Sequence, residues 1–220
     1  TLDPAVADKA KKAVDKGLRF LRGLQEKNGS YGNHVGLTSM ALLAFAESHR
    51  GYKYDEGPFI SRAADWLASQ KRADGAITGD ATPTYNTALA IMALAALDKA
   101  KYADVIAGGQ KFLVKFQSDE EQKYEKSHKF YGGIGYGGDE RPDLSNLQYA
   151  LEALKKTDYD PKSDVWAKAQ MFVSRCQNRS ESNDQGWAGN DGGFVYAPGQ
   201  SPAGQTKDGR FLSYGAMSFA

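Results

Sequence analysis

The residues best placed for chemistry share one recurring position, at the predicted start of four apolar helices. Aligned on their apolar residues, these helices place His34, Pro83, Asp143 and Phe211 at that position. Asp143 is the only carboxyl group of the four, and a carboxyl group tuned by its surroundings can act as a general acid. The start of a helix also receives anions and polar head groups. The alignment therefore predicts a shared site with Asp143 as the candidate catalytic residue.

Amides and aromatic residues lie in the turns and first helical turns around this position. Aromatic rings attract cations to their faces, and a buried Tyr hydroxyl usually finds a hydrogen-bond partner. Alternatively, the rings fill the opening against one another, and His34 only bonds a neighbouring turn. The predicted ligand-binding residues are His34, Tyr85, Asn86, Tyr136, Asn146, Tyr149, Tyr196, Phe211 and Tyr214.

The elements that must position these residues repeat along the chain. Each repeat has an amphipathic helix ending near a Gln, a glycine turn and a nearly uncharged helix. The repeated Gln residues are Gln25, Gln70, Gln117 and Gln177, at intervals of 45 to 60 residues. A period of this size predicts stacked helical hairpins within a single domain, residues 1–220.

The two helices of each repeat differ in where they carry charge. The segment 61–70 mixes polar and apolar residues, as expected of a helix with one wet face, whereas 87–97 has no charged residue. A helix that is apolar on every side is expected to be buried on every side. An all-α fold with outer amphipathic helices around inner apolar helices satisfies both patterns.

Composition excludes several classes of function. A formal net charge of +1 with mixed surface charge gives no basic stripe for a nucleic acid. The longest apolar run, 88–97, is ten residues and too short to span a bilayer. Cys176, the only cysteine, excludes an internal disulfide and a multi-cysteine metal site, and we expect it to be a structural thiol.

Two stretches carry a resemblance to a known family. Lys16-Gly17-Leu18-Arg19-Phe20-Leu21 with Gln25, and Asn86-Thr87-Ala88-Leu89-Ala90, resemble the repeat of squalene cyclases and protein prenyltransferases. The resemblance covers nearly the whole chain. It implies an α/α toroid of antiparallel helical hairpins, about four of them visible, whose inner helices line a cavity for isoprenoid chains. It also implies that a further C-terminal portion or a protein partner completes the ring.

The chain departs from the reactive motifs of both families. Cyclases carry Asp-x-Asp-Asp before Thr-Ala, whereas residues 83–86 here are Pro-Thr-Tyr-Asn. Prenyltransferases bind zinc with Asp-x-Cys and a later His, whereas 143–145 is Asp-Leu-Ser and no His follows His128. We therefore expect no metal and no cofactor, and a cavity for a hydrophobic, isoprenoid-type ligand without the cyclase acid motif or the zinc site.

Two other functions stay open from the sequence. The first is a terpenoid cyclase-like or prenyltransferase-like enzyme that uses Asp143. The second is a scaffold that binds a protein or glycan through its long loops, 118–129, 178–190 and 197–209. Asp139 and Glu140 give the predicted site an acidic character, which argues against binding a diphosphate.

Overall fold

A computed structural model describes residues 3–79, 82–137 and 141–218. Within these ranges the chain is all-helical, with isolated β-bridges instead of strands, so the predicted all-α class is confirmed. The helices are α1 (Pro4–Leu24), α2 (Val35–Glu47), α3 (Pro58–Ser69), α4 (Pro83–Asp98), α5 (Ala103–Lys115), α6 (Leu144–Lys156), α7 (Val165–Cys176) and α8 (Gly215–Ser218). A 3-10 turn covers Glu120–Gln122.

The chain divides into two compact units, Thr1–Gln110 and Lys111–Ala220, and we describe each by itself. In the first unit, α2 makes its most extensive contact with α4. Helix α4 is buried on almost every side, as its uncharged sequence predicts. Helix α2 is not, because Leu37 and Met40 are 49% and 50% exposed. The expectation that every apolar helix is fully covered is therefore wrong for α2.

A Gln side chain at the end of an amphipathic helix makes the same pair of hydrogen bonds in both units. Gln25 Nε2 donates to the Gly29 carbonyl at 2.9 Å and to the Phe59 carbonyl, in the first turn of α3, at 2.6 Å. Gln117 Nε2 likewise donates to Gly132 and to Val165, the first residue of α7, both at 3.0 Å. Each Gln thereby ties its own glycine turn to the start of the next amphipathic helix.

The glycine turns lie directly against the backbone of that next helix. Gly29 has a φ of +96°, and a Cβ there would lie 2.6 Å from the Arg62 carbonyl of α3. At equivalent positions, Gly75 meets the Gly108 carbonyl of α5 and Gly132 meets the Lys168 carbonyl of α7, both too closely for a side chain. Only glycine combines this left-handed backbone with so close an approach.

Candidate functional site

Asp143 is the N-cap residue of α6, as its place before an apolar helix suggests. Its Oδ1 accepts from the Asn146 backbone N–H at 2.8 Å, and its Oδ2 accepts from Asn146 Nδ2 at 2.9 Å. The side chain is 1% exposed. Such capping satisfies N–H groups that a helix start otherwise leaves unpaired.

Two tyrosines extend this cluster. The Tyr196 hydroxyl lies 3.2 Å from the Tyr136 hydroxyl, and either hydroxyl can be the donor of that hydrogen bond. Burial, then the bond to Tyr136 and the nearby charge of Asp143, raise the pKa of Tyr196 well above its usual value. The backbone joins the same parts, since Leu144 N–H donates to the Tyr196 carbonyl at 2.9 Å.

Asn146 holds an open acceptor in this cluster. Its Nδ2 faces Asp143, and its fully buried Oδ1 has no hydrogen-bond partner among the described residues. Buried polar atoms are seldom left unpaired. Four predicted site residues, Asp143, Tyr136, Asn146 and Tyr196, therefore form one polar cluster with spare hydrogen-bonding capacity.

An apolar hollow lies beside the same helix. Its volume is about 270 Å³, and α6, α7, α8 and the strand-like turn at Phe194 line it. Leu144, the residue after Asp143, belongs to its wall. The lining residues are Leu144, Leu147, Gln148, Leu151, Val173, Phe194, Met217 and Ser218.

In the first unit, His34 is the N-cap residue of α2. Its Nδ1 accepts from the Leu37 backbone N–H at 3.3 Å, which requires the tautomer with the proton on Nε2. The bond is local and lies within the first turn of α2. His34 is thus placed at a helix start, with one ring nitrogen engaged in capping.

The other two predicted site residues of this unit, Tyr85 and Asn86, lie in the first turn of α4. Asn86 is buried, and its Nδ2 donates to Thr78 Oγ1 at 3.0 Å, whereas Tyr85 is half-buried. Pro83 is the first residue of the helix. Thr87, which follows Asn86, accepts a hydrogen bond from the Ile77 backbone N–H at 2.9 Å. This bond connects the segment after the glycine turn to α4.

Phe211 does not lie at a helix start, so that alignment is wrong in the fourth repeat. It forms an isolated bridge with Gln205, and α8 begins at Gly215. The Phe211 ring packs edge-on against Trp187 at 6.3 Å between centroids. Tyr214 lies just before α8, and Tyr149 is half-buried within α6. The segment between the glycine turn and α8 is longer than in the third repeat, and an alignment on apolar residues does not detect this difference.

Sequence reasoning missed the residue that orders two long loops. The Arg175 guanidinium, 4% exposed, donates to both Asp184 oxygens and to the Lys126 and His128 carbonyls at 2.7–3.1 Å. It therefore joins loop 118–129 to loop 178–190. The available signal was an Arg inside the apolar stretch that ends α7.

Other classes of site are not seen in the described residues. Within 3–79, 82–137 and 141–218, no three His, Cys, Asp or Glu side chains are grouped to hold a metal ion. None of the helices there has both the length and the apolar character to cross a membrane. Cys176 is buried, and burial, with the charge of Asp143, raises the pKa of its thiol. Asp139 and Glu140 lie outside the described residues.

Comparison with known proteins leaves the family unassigned. No protein-family model matches the chain, and no curated protein gives a significant match.

Proposed function

We propose that this chain binds a hydrophobic ligand of the isoprenoid class in the hollow beside α6, within an α/α toroid of helical hairpins. The observation that carries the proposal is the apolar wall formed by Leu144, Leu147, Leu151 and Phe194 next to a buried polar cluster. Small-molecule sites are commonly concave and apolar, with a few polar groups that fix orientation. The hollow of about 270 Å³ suits a short chain.

The polar cluster supports binding more than catalysis. Both Asp143 oxygens already accept hydrogen bonds, one from the Asn146 backbone N–H and one from the Asn146 side chain. An Asp side chain whose two oxygens both accept hydrogen bonds serves as a helix cap, whereas a terpenoid enzyme would need a protonated acid directed at its substrate. The enzyme that uses Asp143 is therefore the alternative proposal.

Binding can be tested with farnesol, an uncharged isoprenoid alcohol, by isothermal titration calorimetry. Leu151→Trp places a larger ring in the hollow and should weaken farnesol binding by about tenfold or more. Leu212→Trp is the matched control, because Leu212 is exposed in the same unit and lies outside the lining. Equal binding by wild type and Leu151→Trp, or none by wild type, would remove the proposal.

The same assay separates binding from chemistry. Asn is as good an N-cap residue as Asp, so Asp143→Asn should fold and should still bind farnesol. Turnover of an isoprenoid substrate by wild type that disappears in Asp143→Asn would favour the enzyme instead.

One observation favours the scaffold as a second candidate. Arg175 fixes loops 118–129 and 178–190 to each other through hydrogen bonds to three groups, the Asp184 carboxyl group and the Lys126 and His128 carbonyls. Long loops retained in an ordered form are frequently functional. A glycan array or a protein pull-down that is lost in Arg175→Ala, while farnesol binding is kept, would support this candidate.

A further inference from the structure

The fourth repeat carries a glycine, Gly192, against which no helix backbone lies in the described residues. Gly192 has a φ of +79°, like Gly29, Gly75 and Gly132, yet a Cβ on it would have no atom within 4 Å. Gln177 Nε2 donates to the Gly192 carbonyl at 3.1 Å, as Gln25 and Gln117 do to Gly29 and Gly132. Gln25 and Gln117 each donate to a second carbonyl, at the start of the next amphipathic helix. Within 141–218, no helix start supplies such a second acceptor to Gln177.

The first repeat has the opposite half of this contact. In α3, α5 and α7, a glycine turn lies against one peptide group of the helix. That peptide group is seven to nine residues before the Gln at the end of the same helix. Counting back from Gln25 by the same number reaches Gly17 of α1. Gly17 is exposed, and a Cβ on it would meet nothing within 4 Å. Helix α1 thus offers an uncovered backbone at the position where other helices receive a turn.

Apolar surface surrounds Gly17. A groove of about 390 Å³, which includes Gly17, Leu21 and Leu43, runs between α1 and α2. A second groove of about 440 Å³ follows it and contains the half-exposed Leu37 and Met40. Contiguous apolar surface of this kind marks an interaction site.

We infer that a second copy of this chain docks here, with its Gln177–Gly193 turn on the Gly17 face of α1. One chain carries both halves of a contact that it makes three times internally, and each half is open. The Gly17 face of α1 (the head) of one copy meets the Gln177–Gly193 turn (the tail) of the next copy. Such a head-to-tail interface closes a ring or extends a filament when it is repeated. It uses the outer helix face and the turn, and it is independent of the hollow beside α6.

Variants at helical glycines test the head of the interface. Gly17→Leu places a side chain where the turn would lie and raises helix propensity, so it should block association without unfolding α1. Gly23→Leu is the matched control, because Gly23 is also an exposed glycine of α1 but lies about 120° around the helix from Gly17. Analytical ultracentrifugation should show self-association by wild type and Gly23→Leu, and at least about tenfold weaker association by Gly17→Leu.

A complementation experiment tests the pairing of head and tail. Gly192→Leu should block the tail, and Gly204→Leu, at a similar φ of +88° with open space, controls for the backbone change. Gly17→Leu and Gly192→Leu should each be monomeric alone, and their mixture should form a one-to-one complex through one intact head and one intact tail. A wild-type monomer at every concentration, or a mixture that stays monomeric, overturns the inference.

Discussion

Gln117 reaches the first residue of the next amphipathic helix, because its Nε2 donates to the Val165 carbonyl at 3.0 Å. The same amide nitrogen donates to Gly132 at 3.0 Å, so one side chain joins a helix end, a turn and a helix start. The recurring Gln is therefore a structural residue.

Removing those two donors should destabilise the fold. Gln117→Met keeps the side-chain length and should lower the free energy of unfolding by about 1–3 kcal/mol, since a buried hydrogen bond contributes about 1 kcal/mol. Gln70→Met is the control, because Gln70 Nε2 bonds only locally, to Trp66 and Ser69. Urea unfolding should show a small loss for Gln70→Met, and an equal loss would contradict the assigned role.

A side chain at Gly132 should be far more harmful than one at Gly192. Both have a positive φ, so Ala costs each about 1 kcal/mol in backbone strain. Gly132→Ala also forces a Cβ into the Lys168 carbonyl, which should add about 1–3 kcal/mol. Thermal and urea unfolding of the two variants measure the difference, and equal stabilities would show that the turn does not lie against α7.

The sequence predicted the all-α class because periodicity reports which faces avoid water. It also placed Asp143 and His34 at helix starts, since N-capping is a local property of the chain. The side-chain cluster of Asp143 with Tyr196 could be expected only in outline, because the two residues are 53 positions apart in sequence.

What failed depends on longer-range packing. Phe211 was misplaced because the loop before it has no periodicity from which a register could be read. The exposure of Leu37 and Met40 depends on which other elements pack on α2. The apolar sequence of α2 carries no information about those elements. Arg175 was missed because its partners, Asp184 and two backbone carbonyls, lie in loops.

Replacing Tyr31 by Phe should not destabilise the protein. Its hydroxyl is buried and has no hydrogen-bond partner among the described residues, and burial raises its pKa to about 12. Tyr31→Phe removes an unpaired polar atom and should leave stability unchanged or raise it by about 1 kcal/mol. Tyr131→Phe should instead destabilise, because the Tyr131 hydroxyl donates to Glu120 at 3.0 Å. Effects of the same sign in urea unfolding would contradict this contrast.

The Cys176 thiol should be inert in the folded protein. It is buried, and burial raises its pKa, so little thiolate forms and reagents cannot reach it. Labelling with a disulfide reagent should be slow in buffer and fast above the urea midpoint. Rapid labelling at full native signal would show that α7 opens locally.

Acid should weaken the link between the two long loops. The Arg175 guanidinium holds the pKa of Asp184 below its usual value, so the folded state binds this proton less readily than the unfolded state. The stabilisation is therefore fully present above the unfolded pKa of about 4 and is lost as pH falls through the lower folded value.

Asp184→Asn should remove this part of the acid sensitivity between about pH 5 and pH 2. The protection of loops 118–129 and 178–190 against hydrogen exchange, relative to the intrinsic rate at each pH, should fall across that range in wild type and change less in Asp184→Asn. Glu181→Asn is the control, because Glu181 is exposed in the same loop and forms an ion pair with Arg179. Identical pH profiles for wild type and Asp184→Asn would show that the Arg175 pair does not hold the loops together.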